Sequence, residues 1–316
     1  MLAVSNGNEQ KKSKILSSLK KWGPVYLLML PGLAYLFINN YIPMAGIVVA
    51  FKQYNVIQGI FNSPWAGFSN FVFLFQTSDA FIITRNTILY NLAFILINTV
   101  LGIIIAIFIS EASKKGLKKL YQSSILLPFL MSIVVISYMV FAFLSVDNGM
   151  LNKSVLPMMG MKPISWYSEP KYWPLILVLV NTWKGVGFGA LMYIAAIAGI
   201  DRSLFEAAEI DGAGKMRQIF SITLPLLIPT VTILTLLSIG KIFYADFGLF
   251  YQVPMDSGSL YDTTNVIDTY VYRALLQVGN IGMSSAAGVY QSIVGFILVF
   301  FSNFIVRRFN SDNALF

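Results

Sequence analysis

The 316-residue chain has no cysteine and no histidine. Lack of thiols excludes disulfides and thiolate nucleophiles, and lack of imidazole excludes His-assisted catalysis and most transition-metal sites. Charge is scarce as well. Asp, Glu, Lys and Arg make up 11% of the residues, against roughly 25% in an ordinary soluble domain. Water is therefore not the main solvent of this chain.

What is abundant is apolar surface, 57% of the residues, in long runs from Tyr26 to Ile305. A bilayer crossing needs roughly 20 apolar residues. Stretches of that kind at about 26–49, 88–110, 125–144, 173–196, 219–243 and 284–305 predict an all-α integral membrane fold with six transmembrane helices. The first stretch follows Lys11, Lys12, Lys14, Lys20 and Lys21 as in a signal peptide. It runs too long for an h-region and lacks a small-residue cleavage site, so it reads as a span. The polar tail from Ser5 to Lys14 is expected to be disordered.

The formal charge of +8 sits in short basic runs beside apolar segments, a pattern of membrane topology rather than of a nucleic-acid surface. No nucleic-acid partner is expected. Under the positive-inside rule, the N-terminal tail, the loop with Lys114, Lys115, Lys118 and Lys119, the loop with Arg202, Lys215 and Arg217, and the tail with Arg307 and Arg308 are cytoplasmic. Both termini then lie in the cytoplasm. The outer segments carry Lys52, Arg85, Lys153, Lys162, Lys171 and Arg273 against Asp79, Asp147, Glu169, Asp246, Asp256, Asp262 and Asp268. Trp65, Trp166 and Trp173 in these segments read as an interfacial aromatic belt. The organisation expected is a cytoplasmic tail (1–21), a first helix with its outer loop (22–84), a core of five helices (85–308) containing a cytoplasmic loop at about 200–225, and a short cytoplasmic tail (309–316).

That loop reads Asp201-Arg202-Ser203-Leu204-Phe205-Glu206-Ala207-Ala208-Glu209-Ile210-Asp211-Gly212-Ala213-Gly214. Ser203 and Glu206 have capping-box spacing, which predicts a short helix that Gly212 and Gly214 then break. Ala207 and Ala208 present little side chain and would let the helix lie against a groove on another protein. Taken singly, these are the features of any helical hairpin. Beyond the loop, Pro225 and Pro229 are potential kink points in the fifth span.

Taken together, Glu206-Ala207-Ala208, Gly212 after three residues, and Ile222 with Leu224-Pro225 after nine more resemble the EAA signature of the permease subunits of type I binding-protein-dependent ABC importers. The resemblance runs from Trp22 to Arg308. The segments Tyr41-Ile42-Pro43-Met44, Ser63-Pro64-Trp65-Ala66-Gly67-Phe68, Arg85-Asn86-Thr87, Leu127-Pro128, Trp183-Lys184-Gly185-Val186-Gly187 and Asp268-Thr269-Tyr270-Val271-Tyr272-Arg273 resemble the carbohydrate-uptake group, close to the oligosaccharide and polysaccharide permeases. The resemblance implies the type I importer permease fold in a bacterial cytoplasmic membrane. It implies as partners a second permease subunit in a heterodimer, ATPase subunits, an extracellular solute-binding protein, membrane lipid and a carbohydrate substrate. Docking to the ATPase is carried over to Glu206, Ala207, Ala208, Asp211 and Gly212.

The chain offers no nucleotide site of its own. Walker A requires G-x-x-x-x-G-K-[ST], but Gly214-Lys215 is followed by Met216, and Glu209 stands where the first glycine belongs. ATP and Mg²⁺ are accordingly expected on the ATPase, with no cofactor, catalytic residue or metal ligand on this chain. An ion-coupled secondary transporter would want carboxylates inside its spans, and none stands mid-span. A membrane glycosyltransferase would want a metal-binding acidic pair in a loop, and no obvious one is present. The same transporter class with a non-sugar cargo remains open. Sugar recognition needs an aromatic face together with donors and acceptors, which Tyr138, Asn181, Trp183 and Lys184 supply if they share one cavity. Lys184, mid-span, could equally bind a backbone carbonyl or a partner's carboxylate. Gly185, Gly187, Gly189 and Ala190 would permit close helix packing.

Overall fold

The computed structural model describes residues 6–112, 114–277 and 279–309. Five helical segments are long and apolar enough to cross a membrane: Lys21–Phe51, Asp79–Glu111, Pro170–Ala198, Lys215–Ile239 and Ile281–Arg308. A sixth crossing arises if the bent pair Lys115–Leu130 and Ile133–Leu144 counts as one span. Among the described residues the only β pairing is an isolated bridge between Lys52 and Trp65.

The chain divides into two compact units, Met1–Asn70 and Phe71–Phe316. In the first, helix α1 (Asn6–Leu36) continues through a π-helical turn, Phe37–Tyr41, into a 3₁₀ segment, Ala45–Phe51. The tail expected to be disordered is thus helical from Asn6; its Glu, Gln and Lys residues favour helix. Beyond α1 the chain closes around Lys52, which is 5% exposed. Its ammonium donates to the carbonyls of Ile60 (2.9 Å) and Phe61 (2.7 Å) and lies 5.2 Å from the Trp65 ring centroid. Asn70 Nδ2 then donates to the carbonyls of Ala50 and Lys52, both at 2.9 Å. Lys52 is therefore the buried pin of this loop rather than a solvated outer charge.

The second unit contains α2 (Ser78–Glu111), α3 (Lys115–Leu130), α4 (Ile133–Leu144), α5 (Trp173–Ala198), α6 (Arg202–Ile210), α7 (Leu224–Ile239), α8 (Phe247–Gln252), α9 (Ile267–Leu276) and α10 (Ile281–Phe309). The third predicted span is not straight: α3 and α4 meet at 92°. Pro128 lies inside the last turn of α3, and Met131 and Ser132 take extended backbone (ψ 139° and 140°). Proline withholds a donor and crowds the preceding turn, so the apolar run continues where the helix cannot.

α2 starts at Ser78, about ten residues before its predicted apolar run, and the added turns end in the polar residues Arg85, Asn86 and Thr87. Arg85 Nη2 donates to Asp262 O (2.8 Å), Asn86 Nδ2 to Asn265 O (2.9 Å), and Ile267 N to Thr87 Oγ1 (3.1 Å). Arg85-Asn86-Thr87 thereby fastens the segment between α7 and α10 onto α2. That segment is internally braced. Arg273 Nη1 meets Asp256 Oδ1 at 2.6 Å, stacks 4.2 Å from the Tyr261 ring centroid and also hydrogen-bonds Asn265. The Asp268 carboxylate accepts from Ala245 N (2.7 Å) and Gln291 Nε2 (3.2 Å), and burial pushes its pKa up. Asp246 caps α8 by accepting from Leu249 N at 3.1 Å. Of the outer acids, Asp246, Asp256 and Asp268 are thus engaged by hydrogen bonds within the fold, while Asp246 and Asp262 remain exposed.

The core beneath joins Tyr90 and Phe94 of α2, Ile136 of α4, Trp173, Leu177 and Val180 of α5, and Leu249 and Phe250 of α8. Trp173 is 0% exposed, with Nε1 donating to Trp166 O at 2.7 Å, so it belongs to the core and not to an interfacial belt. Large apolar side chains along the outer faces of the spans, Leu96, Phe108 and Phe296 among them, stay uncovered. Lipid is as apolar as these residues, so helix association here relies on close packing and hydrogen bonds rather than on hydrophobic burial.

Candidate functional site

Two features stand apart from the packed interior, an exposed helical hairpin at 199–218 and a cavity between spans. The hairpin begins where Asp201, not Ser203, caps α6. Its carboxylate accepts from Ser203 N at 2.9 Å. Hydrogen bonds from Ser203, backbone first, hold the Asp201 pKa below the usual carboxylate range. A depressed pKa means the folded state prefers the anion, so the cap persists at neutral pH and is lost only as pH falls through that lowered value.

The far end of α6 is closed by a Schellman turn. Ala213 N donates to Ala208 O (2.8 Å) and Gly212 N to Glu209 O (3.0 Å), with Gly212 at φ +73°. This left-handed conformation is the reason for glycine there. Ala208 and Ala213, the positions such a turn brings together, are both half-buried. Lys215 Nζ lies 3.4 Å from Glu209 Oε1 and 3.8 Å from Glu111 Oε2, linking the returning limb of the hairpin to the end of α2. Gln218, buried, donates to Ala213 O at 3.1 Å. The hairpin that results is framed at both ends by hydrogen bonds yet uncovered: Ile210 of α6 is 87% exposed and Met216, beyond the turn, 65%. Glu206 and Glu209 face a cleft of about 630 Å³ that Glu111 and Lys118 also line.

From the hairpin the chain enters α7 through a short helix, Lys215–Gln218, and a π-helical turn, Ile219–Thr223, just before Pro225. A π turn absorbs the donor that proline lacks.

The cavity, about 640 Å³, lies between α2, α5 and α7, its wall more apolar than polar with a few amide groups set into it. Its walls include Asn91, Asn98, Phe94, Asn181, Phe188 and Lys241. Asn98 Nδ2 donates to Asn181 Oδ1 at 3.0 Å, linking α2 to α5, and Asn91 Nδ2 donates to Ile242 O at 2.9 Å. Of the four substrate-path candidates, only Asn181 lines this cavity; Tyr138, Trp183 and Lys184 do not. Helical phase accounts for Trp183: the cavity face of α5 includes Asn181, Phe188 and Met192, at i, i+7 and i+11, and Trp183, at i+2, points the other way; Tyr138 stands on α4.

Lys184 instead donates to Phe129 O at 3.3 Å and sits 5.4 Å from the Phe129 ring centroid. It thus caps the broken end of α3, where carbonyls lack helical partners and a cation is favoured. Lys184→Met is expected to leave insertion unchanged and to lower the thermal midpoint of the purified protein by about 2–4 °C, the loss of roughly 1 kcal/mol. An unchanged melting curve would show that this contact holds nothing.

Asn91, Asn98 and Lys241 escaped the sequence reading. Asn91 and Asn98 stand seven residues apart in an otherwise apolar helix, on one face with Phe94 and Ile95, and that spacing is the signal that could have found them.

Membrane-length helices, a broken third span, a capped and uncovered hairpin, and a cavity within the helices define a transport permease. Residues 98–311 match the binding-protein-dependent transport system inner membrane components, and the chain belongs to that family. It is 34% identical to Protein LplB of Bacillus subtilis (strain 168), over 94% of this chain and 92% of that one. It is 33% identical to the polygalacturonan/rhamnogalacturonan transport system permease protein YteP of the same organism, over 96% and 94%. Among solved structures, it superposes on a chain of a bacterial ABC transporter that imports the acidic polysaccharide alginate, with a TM-score of 0.85 and 32% identity, covering 94% of this chain and 99% of that one. A second structure of a bacterial alginate transporter, in complex with an alginate pentasaccharide-bound periplasmic protein, gives a TM-score of 0.83 at 32% identity, over 93% and 97%.

Proposed function

We propose that this chain is the non-catalytic membrane subunit of an ATP-driven importer, pairing with a second permease to translocate an oligosaccharide delivered by an extracellular solute-binding protein. The observation that carries the reading is the uncovered α6 hairpin. It is a short helix fixed at both ends, Asp201 capping one and Gly212 turning the other, with Ile210 and Met216 bare. Outside a bilayer, such a surface calls for a protein partner. Glu206, Ala207, Ala208, Asp211 and Gly212 dock an ATPase subunit on the cytoplasmic side of a bacterial inner membrane, where both termini also lie. ATP and Mg²⁺ are held by that partner, and closure of the ATPases biases the permease only by as much as α6 is bound differently in its inward and outward states.

The carbohydrate cargo is supported by the relatives. The name of YteP gives polygalacturonan and rhamnogalacturonan, and the structural neighbours belong to alginate importers. The amides and aromatic rings in the cavity wall between α2, α5 and α7 suit hydroxyl-rich rings.

The purified chain alone is expected to hydrolyse no ATP, and the complex with its ATPase and second permease to hydrolyse it. Cells lacking the chain are expected to lose uptake of an oligosaccharide while keeping peptide and polyol uptake. Activity of the isolated chain would overturn the subunit reading, and selective loss of peptide or polyol uptake would overturn the cargo class.

A further inference from the structure

In the first compact unit the loop after the first span turns its polar groups inward and its apolar ones outward. The span Lys21–Phe51 has 31 residues, about 46 Å of helix at 1.5 Å per residue, against roughly 40–45 Å for a bilayer with its headgroups. With Lys21 at one edge of the membrane, Lys52 stands at the other. The chain that follows is uncharged: no Asp, Glu, Lys or Arg occurs between Lys52 and Asp79.

Within residues 52–65 the hydrogen bonds run to the inside of the loop. The Lys52 ammonium donates to the carbonyls of Ile60 and Phe61 and lies against the Trp65 ring. Ser63, buried, donates through Oγ to Gly59 O (2.6 Å) and accepts from Asn55 N (3.0 Å). Asn55 Oδ1 accepts from Ile57 N at 2.9 Å. The outer surface is left to Ile57, 95% exposed, and Phe61, 90% exposed, with Val56 and Trp65 also bare and the neutral amides of Gln53, Gln58 and Asn62 beside them.

A loop in water is ordinarily built the other way. A lysine there keeps its ammonium solvated, and exposed apolar side chains are scattered singly rather than grouped. An uncharged surface over a cation satisfied by carbonyls is what a low-dielectric surrounding demands. Neutral amides and an indole beside apolar tips suit the headgroup boundary. The patch also continues, along the chain, the bare apolar side chains of the first span, Tyr41 and Met44 among them. A protein partner steered by charge would find none here.

We propose that residues 53–65 lie in the membrane–water interface at the end of the first span, with Val56, Ile57 and Phe61 inserted among the lipids and Lys52 holding the loop in the shape that presents them. The occupant of this surface is lipid. The inference extends an interfacial Trp65 to a whole pinned loop. It rests only on the first span crossing the membrane, and holds whatever the cargo.

Absence of native cysteine makes the test direct. Ile57→Cys, Phe61→Cys and, as an aqueous reference, the exposed Lys162→Cys would each carry a nitroxide in the assembled transporter, its other subunits freed of cysteine, in phosphatidylcholine–phosphatidylglycerol nanodiscs. Collision with oxygen, which concentrates in lipid, is compared with collision with a water-soluble nickel chelate. Oxygen is expected to dominate at Ile57 and Phe61 and the chelate at Lys162, and addition of the solute-binding protein should change none of the three. Dominance of the chelate at Ile57 and Phe61 would place the loop in water and overturn the proposal. Low collision rates with both reagents would show a partner subunit covering it, and a fall in both rates on adding the binding protein would make it that protein's contact; either result also overturns the lipid assignment. The two positions report independently, so failure of one variant to assemble leaves the other to decide.

Discussion

Gly212→Val is expected to cut substrate uptake about tenfold or more while leaving the chain in the membrane at wild-type level. Gly212 holds φ +73° at the turn that ends α6, and a left-handed conformation costs an ordinary L-residue roughly 1–2 kcal/mol, with β-branched residues worst placed. A change of 1.4 kcal/mol is about tenfold in a docking equilibrium. A Cβ at this position meets nothing within 4 Å, so the cost is purely one of backbone conformation, and the spans do not feel it. Gly212→Asn separates conformation from bulk, because asparagine tolerates the left-handed region, and it should retain most of the uptake. Radiolabelled uptake, immunoblots of membrane fractions and ATPase co-purification would be measured for both variants. Full uptake in Gly212→Val would mean that the Schellman turn does not present α6 to a partner.

The second large effect is expected at Gly187, inside the bilayer. A Cβ there would stand 2.6 Å from the carbonyl carbon of Ile125, and closer still to its oxygen. The obstacle is the backbone of α3, which no rotamer change can clear, so α3 and α5 would have to separate. Overpacking of this kind costs roughly 1–3 kcal/mol or more, and displacement of α3 would also disturb the 92° bend that follows it. Gly187→Ala should lower the thermal midpoint of the detergent-solubilised protein by about 2–4 °C per kcal/mol lost and reduce its steady-state level. Gly189→Ala is the contrast, since nothing lies within 4 Å of its Cβ and alanine gains about 1 kcal/mol of helix propensity over glycine. Equal behaviour of the two variants would show that α3 and α5 do not touch at Gly187 in the protein's working state.

These two glycines also mark what could be read in one dimension. Gly212 is legible from its neighbours, since a capped helix with alanines and a glycine just past its end states its own geometry. Gly187 is not. The sequence offers Gly185, Gly187 and Gly189 as equivalent small residues, yet only Gly187 abuts another backbone. Gly185 makes room toward Asn98, whose Nδ2 lies 4.0 Å from its would-be Cβ, and Gly189 borders the open cavity. The substrate-path residues illustrate the same limit. Trp183, two residues from Asn181, falls on another side of the helix, whereas Lys184, three residues on, is near Asn181's face but is drawn to Phe129 O instead.

The sequence by itself determined the solvent, the helical class and the existence of most spans, because hydropathy is additive along a run of about twenty residues. It also determined the α6 hairpin, because capping, small residues and a left-handed glycine are local chemistry. Tertiary structure alone decided that α3 and α4 bend apart, that Lys52 and Trp173 are buried, and that Asp256 and Asp268 serve the fold. It alone brought Asn98, Asn181 and Lys241 to one cavity. Each of these depends on which residues meet from different helices, and in a chain whose spans are apolar on every side, periodicity carries little record of which face turns inward.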